Sequence, residues 1–110
     1  LQPKEHDGIV TLHIQGKLMG GPDADVFRGT IYDLIERGKK KIIVDLGSVN
    51  WVNSTGIGIL TSAFTTLRKN GGDLKLIHVS EKIRSILYVT KLNLIFECFD
   101  TEQEAIASFE

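Results

Sequence analysis

Asn53, Ser54 and Thr55 stand in a row before Gly56 and Gly58, in the segment KKIIVDLGSVNWVNSTGIGILTSAF. Three short polar side chains before a helix-period run exceed what a cap requires, because one side-chain oxygen suffices to accept from the unpaired amides of a first turn. If Asn53 caps, Ser54 falls at or near the first helical position with its hydroxyl outward, while Gly56 and Gly58 keep bulk away and let a partner approach the backbone. A phosphate on Ser54, with a charge of about −1.5 to −2, would lie beside free amides at the positive end of the helix dipole. The turn tolerates such a group without unfolding. Its effect would fall on any surface that must meet Ser54, by charge repulsion or by clash. A plain capped helix whose glycines serve close packing against a sheet accounts for the same letters, so the local pattern leaves both readings open.

The other reactive residues form no catalytic pattern. His6, His13 and His78 fall in no nucleophile–base or metal-ligand spacing, and G-x-S-x-G is absent around Ser54. The phosphate-loop ending Gly-Lys-Ser/Thr is also missing, which argues against nucleotide hydrolysis. His78 would approach Ser54 only if its strand neighbours the one before Ser54; a satisfied strand-end imidazole is the simpler account. Cys98, close to Phe96 and Phe99, reads as near-core packing, since a reactive thiol wants a cationic neighbour or a helix start. No catalytic residue, metal site or cofactor is expected.

The elements that must position Ser54 follow from periodicity. GIVTLHIQG alternates Val10, Leu12 and Ile14 with Thr11, His13 and Gln15, which predicts a half-buried strand with His13 turned from the aliphatic face. After LMGGPDA, with Pro22 early in the helix, Phe27, Ile31, Leu34 and Ile35 recur at helical spacing until Gly38. KIIVDL predicts a central strand, and from Ser54 the stripe Ile57, Leu60, Phe64 and Leu67 predicts a helix closing near KNGG. DLKLIHV reads as a strand, SEKIRSILYVT as a helix opened by Ser80, FECF as a short strand, and TEQEAIASF as a terminal helix capped by Thr101. Alternating strand and helix predicts an α/β layer fold whose strand ends carry the loops open to specialisation. NSTGIG is such a loop.

The 110 residues suit one domain, residues 1–110, and a hydrophobic fraction of 42% with 25% charged residues suits an ordinary soluble protein. No apolar run reaches the roughly 18 residues of a membrane span, no secretory leader is evident, and the single cysteine has no intrachain partner. A cytoplasmic location is expected. A net charge of −1 gives no electrostatic reason to bind nucleic acid or an anionic membrane, and Lys39 to Lys41 read as a solvated turn guarding a strand.

IIVDLGSVNWVNSTGIGIL resembles the motif of the STAS domain in bacterial anti-sigma factor antagonists: an apolar strand ending in Asp-Leu, a short linker, then Asp-Ser, a small or hydroxyl residue and Gly-Leu-Gly before a helix. LHIQGKL and the helix containing VFR look like the family's opening. The resemblance implies a single-domain α/β STAS-like fold, a mixed sheet with helices packed mainly on one face, and no enzymatic activity. It also implies a partner, an anti-sigma factor that is a serine kinase of the histidine-kinase-like ATPase superfamily, whose complex breaks on phosphorylation and is restored by a serine phosphatase. The family's phosphorylated serine falls on Ser54, its following residue on Thr55, its glycines on Gly56 and Gly58, and its strand-end acid on Asp45.

One departure stands out: the family's usual acid before the serine is here Asn53, which caps but carries no charge. A constitutive scaffold or sensory-complex module that is not phosphorylated is therefore an alternative, as is a small-anion or nucleotide sensor using the same helix start. The partner surface is expected to include Asn53, Ser54, Thr55, Gly56, Ile57 and Gly58, with Met19 as an adaptable apolar contact. A homodimer through an exposed strand or helix face stays open.

Overall fold

The computed structural model describes residues 3–110. Five strands form one mixed sheet in the order β1-β2-β3-β4-β5, comprising Pro3–His6, Ile9–Leu18, Lys41–Val52, Asp73–Ile77 and Cys98–Phe99. Only β1 is antiparallel to its neighbour. The β1–β2 hairpin turns on Asp7 and Gly8, both at positive φ (51° and 82°), as Asp-Gly does in a two-residue turn matched to strand twist. This first strand goes beyond the expectation from sequence, which began the sheet at Gly8.

Helices α1 (Pro22–Glu36), α2 (Ser54–Lys69) and α3 (Glu81–Val89) cover one face of the sheet. Val10, Leu12, Ile42, Val44, Leu74 and Leu76 point into that core and meet Phe27, Ile31, Leu60, Leu67, Ile83 and Leu87. The short α4 (Glu102–Phe109) lies on the opposite face over Ile9, Ile43 and Ile77. Period-two alternation therefore sends apolar residues both ways in the middle strands, and the helices sit mainly on one side as expected.

Turn chemistry sets the boundaries. Pro22 opens α1, and beyond its end Gly38 at φ 77° lets the Lys39 amide reach the Leu34 carbonyl at 2.8 Å, closing the last turn. Ser80 caps α3 through the Ile83 amide at 3.3 Å, and at the start of α4 the Thr101 hydroxyl accepts from the Glu104 amide at 3.2 Å and donates to the Glu104 carboxylate at 3.1 Å. On the α4 side the buried Lys75 places its Nζ 2.8 Å from Ser108 Oγ and 4.4 Å from the Phe109 ring centre. Its charge there meets the carbonyl end of α4, where a cation is favoured.

Two expectations need correction. The segment after Asp45 and Leu46 is not a linker: β3 continues through Gly47–Val52 and stays paired with Gln15–Leu18 across two register shifts, while β4 stops opposite Asp45. FECF contributes only Cys98–Phe99 as strand, because Phe96 turns into the core and stacks edge-on against Phe64 at 5.3 Å. The prolonged β2–β3 pair is a two-stranded arm, and it carries the exits toward Met19 and Ser54 side by side.

Candidate functional site

The arm ends where Asn53, in extended conformation, caps α2: its Oδ1 accepts from the Gly56 amide at 2.8 Å and its carbonyl accepts from the Ile57 amide at 3.0 Å. With the cap filled by Asn53, Ser54 is the first helical residue and is exposed, as is Thr55. No side-chain hydrogen bond occupies the Ser54 hydroxyl among the described residues, so it faces solvent at the amide end of a 16-residue helix. Asn53→Ala is expected to cost about 1 kcal/mol, by loss of the cap, and to lower the melting temperature by roughly 4–8 °C. Thermal unfolding followed by circular dichroism checks this; an unchanged melting temperature would mean that Asn53 is not the cap in solution.

The two glycines play different parts. A Cβ on Gly56 would overlap the Leu18 carbonyl, which accepts from the Asn53 amide at 3.4 Å, whereas a Cβ on Gly58 would meet nothing within 4 Å. Gly56 therefore seats α2 on the end of β2 and is itself buried. Gly58 alone keeps an open backbone face. Ile57 is 5% exposed and packs into the main core, where it forms the floor of a groove.

That groove runs from Asn53, Ser54 and Gly58 along α2 to Ile86, Thr90 and Leu92, and no charged residue lines it. In α3 and the segment after it, Tyr88, Val89 and Leu94 are each more than 70% exposed. On the other side of Ser54, Met19 is 37% exposed, and Gly20 adjoins Thr55 so closely that a Cβ would lie 3.0 Å from its methyl. The structure thus brings Met19, Ser54, Thr55 and Gly58 to one end of the molecule.

Asp45 lies on the sheet face opposite the main core, with three donors around it. His13 Nδ1 is 3.1 Å from Oδ2, His78 Nδ1 is 3.0 Å from Oδ1, and the Gly47 amide donates to Oδ1 at 2.9 Å. Partial burial pushes the carboxyl up, but the Gly47 amide and the two imidazoles outweigh it and hold the acid below its ordinary value. Sequence reasoning named each of these three side chains without joining them. Their pairing needed the sheet order, which sets His13 directly opposite Asp45 and ends β4 beside it. His78, at φ 55°, is turned toward Asp45, so no His78–Ser54 pair forms. Cys98 is half-buried, and burial pushes its thiol up against a smaller opposing pull from Arg84. That is the reverse of nucleophile activation.

Among the described residues no cluster of three or more His, Cys, Asp or Glu is arranged to hold a metal, and no helix is long and apolar enough to cross a membrane. The family model for the STAS domain matches residues 1–105. The anti-sigma-B factor antagonist of Bacillus subtilis is 29% identical, over 86% of this chain and 84% of its own length. A crystal structure of a candidate anti-sigma factor antagonist from Thermotoga maritima superposes with a TM-score of 0.85 at 26% identity, covering 97% of this chain and 92% of the other. The phosphorylated form of the Bacillus cell fate determinant SpoIIAA has the same fold, with a TM-score of 0.77 at 22% identity and coverage of 99% and 98%. With a family model spanning residues 1–105, nearly all of the chain, and a fold shared with solved anti-sigma factor antagonists, the chain belongs to the STAS domain family.

Proposed function

We propose that the chain is an anti-sigma factor antagonist, a non-enzymatic switch whose docking face is the start of α2 and whose release signal is phosphorylation of Ser54. The observation that carries this reading is the division of labour at the helix start. Asn53 holds the cap, so Ser54 can change chemistry without the helix losing its N-terminal hydrogen bond. The partner is an anti-sigma factor with serine kinase activity of the histidine-kinase-like ATPase superfamily, and a serine phosphatase reverses the modification. Apolar contact is available along the groove to Leu92 and at Met19, while Ser54, Thr55 and Gly58 supply the centre. A phosphate of about −1.5 to −2 charge placed there is tolerated by the α2 amides and imposes its penalty on the partner. The phosphorylated SpoIIAA structure supports the reading so far as it shows that this fold accommodates a phosphate.

Intact-mass spectrometry with peptide localisation, after incubation with ATP and an extract of the source cells, tests it against a Ser54→Ala control. One added phosphate on Ser54, absent from the control, is the expected result. No gain in an extract with demonstrated kinase activity would sink the covalent switch. A second reading is favoured by one observation, the uncharged Asn53 in place of the family's acid: a constitutive binding module that keeps the docking face and lacks the modification. The anion-sensor alternative draws no support from the groove at Ser54, whose lining has no cationic side chain.

A further inference from the structure

His13 and Asp45 lie in the adjacent strands β2 and β3, and His78 directly follows the end of β4, so that each of the three chain segments leaves the sheet toward a different part of the face around Ser54. β2 runs from His13 to Leu18 and the Met19–Gly20 loop; β3 runs from Asp45 through the arm to Asn53; the chain after β4 passes His78 and enters α3, which walls the groove. The three side chains meet at the roots of these exits. Both oxygens of one carboxylate are used, one by each imidazole, and Gly47 leaves the room: a Cβ there would lie 3.1 Å from both the Asp45 carboxylate and the His78 Cβ.

The hydrogen-bond pattern specifies the chemistry. An ionised carboxylate only accepts, so each Nδ1 must carry its hydrogen, and the site left for a further proton on either ring is Nε2. Both hydrogen bonds are already charge-assisted by the carboxylate; a proton on either ring adds an ion pair to that bond, and protons on both set two cations against each other across a single anion. Charged groups from every neighbouring element line the same groove: Lys4 of β1, Lys17 of β2, Asp23 near the start of α1, and Glu102 of α4. Lys4 lies 3.9 Å from Glu102, so these two largely offset each other.

We infer that His13, Asp45 and His78 form a proton-operated staple across β2, β3 and β4, and that its protonation shifts the relative placement of the Met19–Gly20 loop, the Ser54 helix start and α3. The consequence for partner binding rests on the proposed docking face; the movement itself does not.

The test is an NMR titration of the isotope-labelled protein from about pH 8 to about pH 5, the range in which histidine changes charge, following the three imidazoles and the amides of Gly20, Gly56 and Gly58. The expected result is that the glycine amides shift with the midpoints of His13 and His78, and that these shifts are lost in the His13→Gln/His78→Gln double variant. Glutamine can still donate to Asp45 but does not titrate. His6, at the β1–β2 turn beside Asp7, is the internal control, and His6→Gln must leave the glycine shifts unchanged. Glycine amides that stay still in the unaltered protein, follow His6, or keep their transition in the double variant would overturn the staple. Should the double variant not fold, the unaltered protein and His6→Gln decide the matter. Movement of these amides in a protein that accepts no phosphate on Ser54 upholds the staple and removes the phosphorylation reading, while phosphorylation with still amides does the opposite.

Discussion

Gly56→Ala is expected to destabilise the protein by about 2–3 kcal/mol, and Gly58→Ala to leave it as stable or stabilise it by up to about 1 kcal/mol. The substitutions are chemically identical, lie two residues apart on one helix and differ only in what the new methyl meets. At Gly56 it overlaps the Leu18 carbonyl, which is backbone and cannot rotate away. Relief requires α2 to lift from β2, and that would disturb the packing of Ile57 and Leu60. At Gly58 the methyl enters open space, and alanine restricts the unfolded chain while keeping helical geometry. Urea denaturation of the two variants against the parent checks the pair. Equal stabilities would mean that α2 does not seat on Leu18 as described. Because Gly58 borders the proposed docking face, Gly58→Ala is also expected to weaken partner binding in a protein of undiminished stability, a combination that Gly56→Ala cannot produce.

Asp45→Ala removes the acceptor for three donors at once and is expected to cost about 1–2 kcal/mol at neutral pH, since the exposed Gly47 and His78 donors can turn to water and only the His13 bond is part-buried. The pH dependence has a definite sign. The folded protein holds the Asp45 carboxyl below its ordinary value, so the unfolded chain binds the proton first as acid is added. This contribution is fully present above the ordinary carboxyl range near pH 4 and is lost as pH falls through the folded value below it. The stability difference between the parent and Asp45→Ala should therefore be largest near neutrality and shrink at more acid pH. A difference that stays constant down to pH 2 would show that Asp45 contributes through packing and not through its charge. Asp45→Asn separates the parts further, because its amide keeps one acceptor and turns a donor toward the other imidazole.

Much of the fold was legible because local rules and packing agree. The alternation in GIVTLHIQG, the stripe Ile57, Leu60 and Leu67, and the caps at Asn53, Ser80 and Thr101 all arise from near neighbours in the chain, and the structure contains each of them. The outward setting of Ser54 was legible for the same reason: once Asn53 caps, the next residue is geometrically bound to open the helix. The first strand was missed although Asp7-Gly8 is a strong hairpin signal, and the continuation of β3 past Leu46 was hidden because GSVNWV has turn-like composition and becomes strand only by pairing with Gln15–Leu18.

By itself, the sequence determined an α/β chain with a capped helix presenting Ser54, because capping and periodicity depend on residues a few positions apart, and the resemblance of IIVDLGSVNWVNSTGIGIL pointed to the STAS family. Only the tertiary structure decided that Gly56 is a packing residue while Gly58 is open, that Ile57 is buried, and that His13, Asp45 and His78 form one cluster. Those properties belong to strands far apart in the chain and brought together by sheet order. The separation of 32 residues between His13 and Asp45 and 33 between Asp45 and His78 leaves no local pattern to read.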